Sequence, residues 1–290
     1  MKRIITHSGH FQPDEIFAVA TLSILLNGEY ELIRTRDPQL FGTGDFVVDV
    51  GEEYDPARGR FDHHQRGGAG KSAEGMPLSS FGLVWKEYGE RVAGSREAAE
   101  KIEKTLVRSI DADDAGIDPD VGDVPVYPLV EAFYSFVPSW QESEEMFDMQ
   151  FKHAVDFAET ILRREIVRAS GSLSAVAAVE KAYRDAEDKR IIVLDEAYPA
   201  TEVLTKYPEP LYVVKPARQL SAWKAKAVTV EENSFESRKL FPESWAGKRD
   251  AELQEVTGVP DATFCHKDRW VAGARTKEGA VALAKLAADA

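Results

Sequence analysis

The chain has 290 residues, of which 43% are hydrophobic and 30% charged, and its formal net charge at pH 7 is −14. This composition is ordinary for a globular protein, and the acidic balance argues against a protein that coats duplex nucleic acid, because such proteins are usually basic. No apolar run reaches the roughly 18 residues of a membrane span, and the start MKRIITHSG lacks the apolar core of a secretory signal, so we expect no membrane partner. The single cysteine, Cys265, permits no internal disulfide and is consistent with a cytoplasmic location.

The first 50 residues have the pattern of an α/β domain. Residues 4–6 predict a short strand, and the apolar stretch 13–26 predicts a buried helix that begins with proline and two acidic residues. Further strands are predicted at 30–36 and 45–51. Strands that are apolar throughout are typical of a parallel sheet covered on both faces.

The rest of the chain predicts helices first and a second sheet later. Helices are expected at 79–89 and 96–116, with one or two long helices between 143 and 189. Strands follow at 189–196, 211–216 and 222–230, with two more within 264–275, and a final helix opened by Thr276. We therefore predict an α/β fold with an N-terminal parallel-sheet domain, a helical middle and a smaller C-terminal α+β domain, divided as 1–188 and 189–290.

Histidines and carboxylates follow the predicted strands of the N-terminal domain, and others lie in the loop containing RFDHHQRGG or end a helix. Ligands collect outside the carboxyl ends of the strands in an open α/β sheet, so these side chains are expected to meet. The candidates are His7, His10, Asp14, Asp49, Asp62, His63, His64, Asp111, Asp113 and Asp114.

Imidazole and carboxylate groups together suit Mn²⁺, Zn²⁺, iron or cobalt. Several carboxylates can hold two ions about 4 Å apart, an arrangement that clamps a phosphoryl group and activates water. Each residue also has an ordinary structural role, since Asp14 suits the positive end of a helix dipole and Asp49 suits a turn after a strand. The pattern alone leaves both interpretations open.

The blocks THSGHFQPDEIFAVA, VVDVGEEYDPARGRFDHHQR, SIDADDAG and WVAGARTKEGA resemble the Myg family, named after a melanocyte proliferating gene. That family in turn resembles the DHH phosphoesterase superfamily. The resemblance extends from about residue 4 to residue 286. It implies a DHH-like N-terminal domain that holds two Mn²⁺ ions, with Mg²⁺ or another divalent ion as the alternative, and 3′–5′ exonuclease activity on RNA.

The resemblance also implies roles for residues that match the family motifs. Asp49 would bridge the two ions, Asp62 would orient the histidines, and His64 would contact the phosphate. The implied metal ligands are His7, Asp14, His63 and Asp111, with Asp114 as the competing choice for the last.

One position departs from the family pattern. Gln12 stands where the family has a histidine, and glutamine is a poor ligand for such ions. His10, two residues earlier, is the candidate replacement. Without a replacement, one of the two ions would bind more weakly.

The C-terminal domain is expected to bind the part of the substrate that does not react. By resemblance this role belongs to His266, Gly273, Arg275 and Thr276. Arg66 lies beside Asp62–His64, which we call the DHH stretch. It is a further candidate for a phosphate contact, because guanidinium groups bind phosphate through paired hydrogen bonds.

The sequence therefore predicts a Mn²⁺-dependent phosphoesterase that acts on RNA or short oligonucleotides through metal-activated hydroxide. The acidic surface favours single-stranded ends over duplexes. One alternative is a nucleotide- or RNA-binding protein whose catalysis is weakened at Gln12. The other is a hydrolase of a small phosphate ester or of pyrophosphate. The sequence does not indicate the oligomeric state.

Overall fold

The structure is a computed structural model that describes residues 1–117, 126–218 and 222–290. It is a mixed α/β protein that divides into two compact units, Met1–Ser170 and Gly171–Ala290. Within the described ranges, no helix has both the length and the apolar character needed to cross a membrane.

The N-terminal unit contains one sheet. Most of the helices of this unit come after the last strand in the sequence. Its strands are β1 (Lys2–Thr6), β2 (Tyr30–Arg34), β3 (Phe46–Val48), β4 (Tyr54–Asp55) and β5 (Arg60–Phe61). Its helices are α1 (Pro13–Leu25), α2 (Pro38–Phe41), α3 (Ser80–Ala93), α4 (Arg96–Ile102), α5 (Arg108–Asp114) and α6 (Leu129–Tyr134), with a π-helical turn at Glu103–Val107 and a 3-10 turn at Pro56–Arg58. The predicted helical middle is a single 40-residue helix, α7 (Met146–Asp185), within which the division between the two units falls.

The order of strands in the N-terminal sheet is β2-β1-β3-β5-β4. Neighbouring strands are parallel except for β4, which pairs with β5 in the antiparallel sense. Ile4 and Ile5 of β1 are fully buried, and α1 is buried along most of its length. The Phe17 ring of α1 lies 5.2 Å from the Phe81 ring and 4.8 Å from the Phe133 ring. This aromatic packing fixes α1, and with it the acidic first turn of the helix.

The structure corrects one feature of the predicted N-terminal topology. The DHH stretch does not lie in a simple loop after β3, because the short strand β5 intervenes and pairs with β3 in parallel. Asp62 follows β5 directly. A strand of two residues is too short to show the alternation of apolar and polar side chains by which strands are recognised.

The C-terminal unit is built on a second mixed sheet. Its strands are β6 (Ile191–Val193), β7 (Tyr212–Pro216), β8 (Trp223–Ala227), β9 (Ala262–Cys265) and β10 (Val271–Ala274), in the order β6-β7-β8-β10-β9. Only the β6–β7 pair is parallel among these described strands. Its helices are α8 (Thr201–Leu204), α9 (Asp250–Thr257) and α10 (Lys277–Asp289), with a 3-10 turn at Glu243–Trp245.

The predicted start of the last helix is confirmed. The Thr276 hydroxyl accepts a hydrogen bond from the Gly279 backbone N–H at 3.0 Å and donates one to Asp261 at 2.6 Å. Leu283 and Ala284 of α10 belong to the same buried cluster as Tyr212 and Ala225 of the sheet. One face of this sheet is therefore covered by α10.

Gly59, which leads into β5, is expected to be essential for stability. Its φ is +70°, and a Cβ would lie 2.2 Å from the Asp45 backbone oxygen. The Gly59→Ala variant should lose about 2–3 kcal/mol of unfolding free energy, because left-handed strain adds to a clash with backbone. Urea denaturation should be compared with Gly67→Ala, where φ is +94° but a Cβ would meet nothing within 4 Å. Equal losses in the two variants would contradict this account.

Candidate metal centre

The carboxyl ends of three neighbouring parallel strands carry the candidate ligands. His7 directly follows β1, Asp49 directly follows β3, and Asp62 directly follows β5. Because these strands are adjacent and parallel, their ends meet at the same edge of the sheet. Asp14 and Glu15 reach this edge from the first turn of α1.

Asp49 lies at the centre of the cluster. One of its carboxylate oxygens lies 3.2 Å from His7 Nε2, and the other lies 3.3 Å from His63 Nε2 and 3.4 Å from His64 Nδ1. The Ser80 hydroxyl donates a hydrogen bond to Asp49 at 3.0 Å. Asp49 is buried, and its φ of +56° is in the left-handed region, which aspartate tolerates better than most residues.

Three groups of side chains in the described part of the chain could each hold a metal ion, because their ligand atoms lie within 4.8 Å of one another. Asp49 and His63 each belong to two of the groups, so the groups overlap, and the carboxylate of Asp49 could bridge two neighbouring ions. The groups are His7, Glu15 and Asp49; Asp14, His63 and Asp114; and Asp49, His63 and His64.

Two buried polar atoms of this cluster fit a cation. Asp14 Oδ1 and His63 Nε2 have no hydrogen-bond partner within the described residues. A buried carboxylate oxygen without a partner costs free energy, and such atoms in native proteins usually face an ion or a water. The donor set of imidazoles and carboxylates is also the kind that binds Mn²⁺.

The cluster concentrates more negative charge than its histidines neutralise. Burial raises the pKa of Asp14 well above its ordinary value, and the charges of Asp49 and Glu15 raise it further. Burial also raises the pKa values of Glu15 and Asp114. For His7, burial alone would lower the pKa, but hydrogen bonds with Asp49 and Glu15 outweigh it and raise the pKa to about 9. A bound cation would relieve the repulsion among these carboxylates.

Asp62 holds His64 in place. Its Oδ1 accepts a hydrogen bond from the His64 backbone N–H at 3.1 Å and lies 2.8 Å from His64 Nδ1. Its Oδ2 accepts a hydrogen bond from the Glu52 backbone N–H at 2.6 Å. The hydrogen bond with Asp62 raises the pKa of His64 to about 9, which favours the protonated form of this exposed imidazole at neutral pH.

Two predicted ligands lie outside the three groups. His10 is exposed, and its ring lies 6.5 Å from the Phe147 ring, so the geometry does not support it as the replacement for the family histidine. Asp111 is buried, but its Oδ1 accepts hydrogen bonds from the Ser79 backbone N–H at 3.0 Å and hydroxyl at 2.6 Å. Of the two alternatives for the last ligand, Asp114 is the one that lies with Asp14 and His63.

Glu15 and Ser80 were not selected from the sequence. Glu15 is fully buried, and its Oε1 lies 3.0 Å from His7 Nε2. Its carboxylate also accepts hydrogen bonds from the Gln12 backbone N–H at 2.9 and 3.0 Å. Glu15 could have been chosen as a candidate ligand from the sequence, because it stands next to Asp14 directly after Pro13. No sequence pattern indicated Ser80, because serine is common at the start of a helix, where it caps the helix.

The residues predicted to bind substrate are placed as follows. Arg66 is exposed in the loop after His64. In the C-terminal unit, His266 Nδ1 accepts a hydrogen bond from the Asp268 backbone N–H at 3.1 Å. Gly273 lies in β10, Arg275 is exposed, and Thr276 caps α10.

The fold and the cluster define an α/β protein with a candidate metal centre at the strand ends of its N-terminal unit. A family model described as "Uncharacterised protein family (UPF0160)" matches residues 3–288. The chain is 33% identical over 320 residues to the MYG1 exonuclease of Homo sapiens, with 98% of this chain and 85% of the human protein covered. It is 31% identical over 318 residues to a MYG1 protein of Schizosaccharomyces pombe, with 99% and 97% covered. The chain therefore belongs to the MYG1 exonuclease family.

Proposed function

We propose that this protein is a metal-dependent phosphodiesterase that shortens RNA or short oligonucleotides from their ends with 3′–5′ polarity. The observation that supports it most is the position of the Asp49 carboxylate, whose two oxygens face different histidines, as expected of a carboxylate that bridges two ions. The relatives named exonucleases support a nuclease activity.

The side chains proposed to hold the ions belong to the first two groups described above, and Asp49 is proposed to reach both ions because its second oxygen lies 3.3 Å from His63 Nε2. These side chains are His7, Glu15, Asp49, Asp14, His63 and Asp114. We favour Mn²⁺, with Mg²⁺ or another divalent ion as the alternative, because imidazole and carboxylate ligands occur together. When bound, a pair of such ions lowers the pKa of a water and polarises the phosphoryl oxygens.

The residues of the chain itself supply positioning and charge. His64 is proposed to contact the phosphate, since its pKa of about 9 keeps it protonated and Asp62 holds its Nδ1, which leaves the Nε2–H to donate. Ser80 holds the carboxylate of Asp49. Arg66 is proposed to contact a phosphate further along the strand.

We further assign residues 1–188 as a DHH-like metal-binding domain and residues 189–290 as the domain that binds the rest of the substrate. In the second domain the proposed contacts are His266, Gly273, Arg275 and Thr276. A net charge of −14 favours single-stranded ends over duplexes, because a duplex presents a denser array of phosphates.

Hydrolysis of labelled oligonucleotides of increasing length tests this function. With Mn²⁺ present, 5′-labelled single-stranded RNA should give a ladder of stepwise shortened products, at a higher rate than pyrophosphate or p-nitrophenyl phosphate is hydrolysed. Hydrolysis confined to the small phosphates would favour the small-ester alternative. Binding of RNA with no hydrolysis at any length would favour the binding protein weakened at Gln12.

A further inference from the structure

One face of the C-terminal sheet carries a row of basic and aromatic residues. In the register of the sheet, Lys215 of β7 pairs with Lys224 of β8, and Lys224 pairs with Gly273 of β10. Gly273 in turn pairs with Phe264 of β9. Residues directly opposite one another in antiparallel strands lie on the same face, so the row crosses four strands.

A second lysine extends this row, and an exposed tryptophan just before β10 lies beside that lysine. Lys226 lies two residues after Lys224 and therefore on the same face of β8. Its ammonium lies 5.7 Å from the centre of the Trp270 ring, and Trp270 is 39% exposed. We call this surface the lysine face, and it consists of Lys215, Lys224, Lys226, Phe264 and Trp270.

The lysine face lies on the side of the sheet opposite α10. Another part of that side is packed, because Val213 and Val228 are buried with Val179 of α7 and Leu204 of α8. The alternate residues Tyr212, Val214, Ala225 and Ala272 are buried in the cluster that includes α10. Side chains alternate between the two faces of a strand, so the lysines lie on the opposite side. All three lysines are partly exposed.

The positive charges of this face are not neutralised by carboxylates. Within the described ranges, Lys224 and Lys226 form no ion pair, and the Lys215 ammonium donates to the Tyr198 carbonyl oxygen. Burial lowers the pKa of Lys215 to about 8, and the nearby charges of Lys224 and Lys226 lower it further. Like charges held together in a chain of net charge −14 are an arrangement that an anion would stabilise.

Gly273 allows an aromatic ring to lie in the row. A Cβ at this position would lie 2.4 Å from Cε1 of the Phe264 ring. Glycine at position 273 therefore leaves room for the Phe264 ring, which lies over β10 at this point. The face thus combines cationic groups with two aromatic rings.

We propose that the lysine face binds a single-stranded nucleic acid, with lysines on the phosphates and Phe264 and Trp270 stacked on bases. Proteins that hold single strands combine a positive surface with aromatic side chains in this way. The inference rests on the proposed function for its choice of nucleic acid as the anion, and apart from Trp270 it names residues that lie outside the family motifs quoted above.

Fluorescence anisotropy of labelled oligo-rU and oligo-dT with the full chain in chelator tests this binding without turnover. Lys224→Ala/Lys226→Ala should weaken binding about 10-fold or more and reduce the slope of log K against log salt by about 1.4, because two phosphate contacts are lost. Trp270→Ala should weaken binding about 10-fold with little change in the slope. Lys224→Arg/Lys226→Arg should retain binding, because arginine keeps the positive charge at both positions.

The matched control is Lys181→Ala/Lys285→Ala, which removes two exposed lysines of the same unit from α7 and α10. Equal weakening in this control, an unchanged salt slope in the Lys224/Lys226 variant, or no binding of either oligonucleotide by the parent chain would overturn the inference. A preference for oligo-rU or oligo-dT would identify RNA or DNA as the strand that is held. A chain that binds through these lysines but hydrolyses no oligonucleotide would overturn the proposed function and leave this inference standing.

Discussion

Replacing Asp49 by asparagine is expected to remove the shared ligand of the centre and to lower hydrolysis by more than about 100-fold. Loss of an outer hydrogen-bonding partner of a metal ligand typically costs about 10–100-fold in metal affinity or activity, and a ligand shared by two ions should cost more. Asparagine keeps the size of the side chain and tolerates the φ of +56°, so the backbone should not change. The loss of hydrolysis in this variant would then be due to the loss of the carboxylate charge.

Equilibrium dialysis with Mn²⁺, followed by metal analysis, measures this effect beside the rate of RNA hydrolysis. Asp113→Asn is the control, because it removes one carboxylate charge from α5 but lies outside the three metal-binding groups. The parent and the control should bind two ions, and Asp49→Asn should bind fewer. Unchanged Mn²⁺ stoichiometry in Asp49→Asn would exclude Asp49 as a shared ligand.

Asp14→Asn should stabilise the metal-free protein while weakening its metal binding. Asp14 is buried and its pKa is raised by burial and by the charges of Asp49 and Glu15, so its ionised form is penalised in the folded state. The variant should gain about 0.5–2 kcal/mol of unfolding free energy in chelator, the usual range for one stabilising substitution. Asparagine can still accept the hydrogen bond that the Ser80 backbone N–H donates at 3.2 Å.

The pH dependence of this gain has a definite sign. A raised pKa means that the penalty is absent below the ordinary value of 3.8, where Asp14 is protonated in both states, and grows as the pH rises through the folded pKa. Urea denaturation in chelator should therefore show the gain at neutral pH and little gain near pH 4. A gain that persists at pH 4, or an equal gain in Asp113→Asn, would show that the charge of Asp14 is not its cause.

The grouping of the central residues could be predicted from the sequence because it follows from topology. Apolar strands that end in His7 and Asp49, with a helix beginning at Pro13 between them, place these side chains at one sheet edge whatever the details of packing. The position of the DHH stretch needed β5, whose two residues carry no periodic signal.

Choices between neighbouring acids could not be made from the sequence. Asp111 and Asp114 are three residues apart and lie on one side of α5, so helical spacing cannot separate them. The π-helical turn at Glu103–Val107 changes the rotation of α5 relative to α4, and no sequence pattern indicated that turn. Likewise, the choice of Glu15 over His10 depends on how the loop before α1 packs against Phe147.

In the C-terminal unit, too, the sequence predicts only part of the arrangement, in this case of the lysine face. The alternation KAKA in β8 predicts that Lys224 and Lys226 share a face opposite Ala225 and Ala227. Their proximity to Lys215 and Phe264 depends on the register of three strand pairs. Register is set by the packing of whole strands and cannot be read from one of them.

An anomalous difference map from crystals grown with Mn²⁺, recorded at the manganese absorption edge, tests the proposed metal centre most directly. We expect two peaks in the N-terminal unit, one in contact with His7, Glu15 and one oxygen of Asp49, and the other in contact with the second oxygen of Asp49 and with Asp14, His63 and Asp114. Neither peak should be present in crystals of Asp49→Asn at the same Mn²⁺ concentration, because Asp49 is proposed to bind both ions. Manganese peaks located elsewhere, or no peak at this cluster in the parent protein, would contradict the assignment of the strand ends as a two-ion centre.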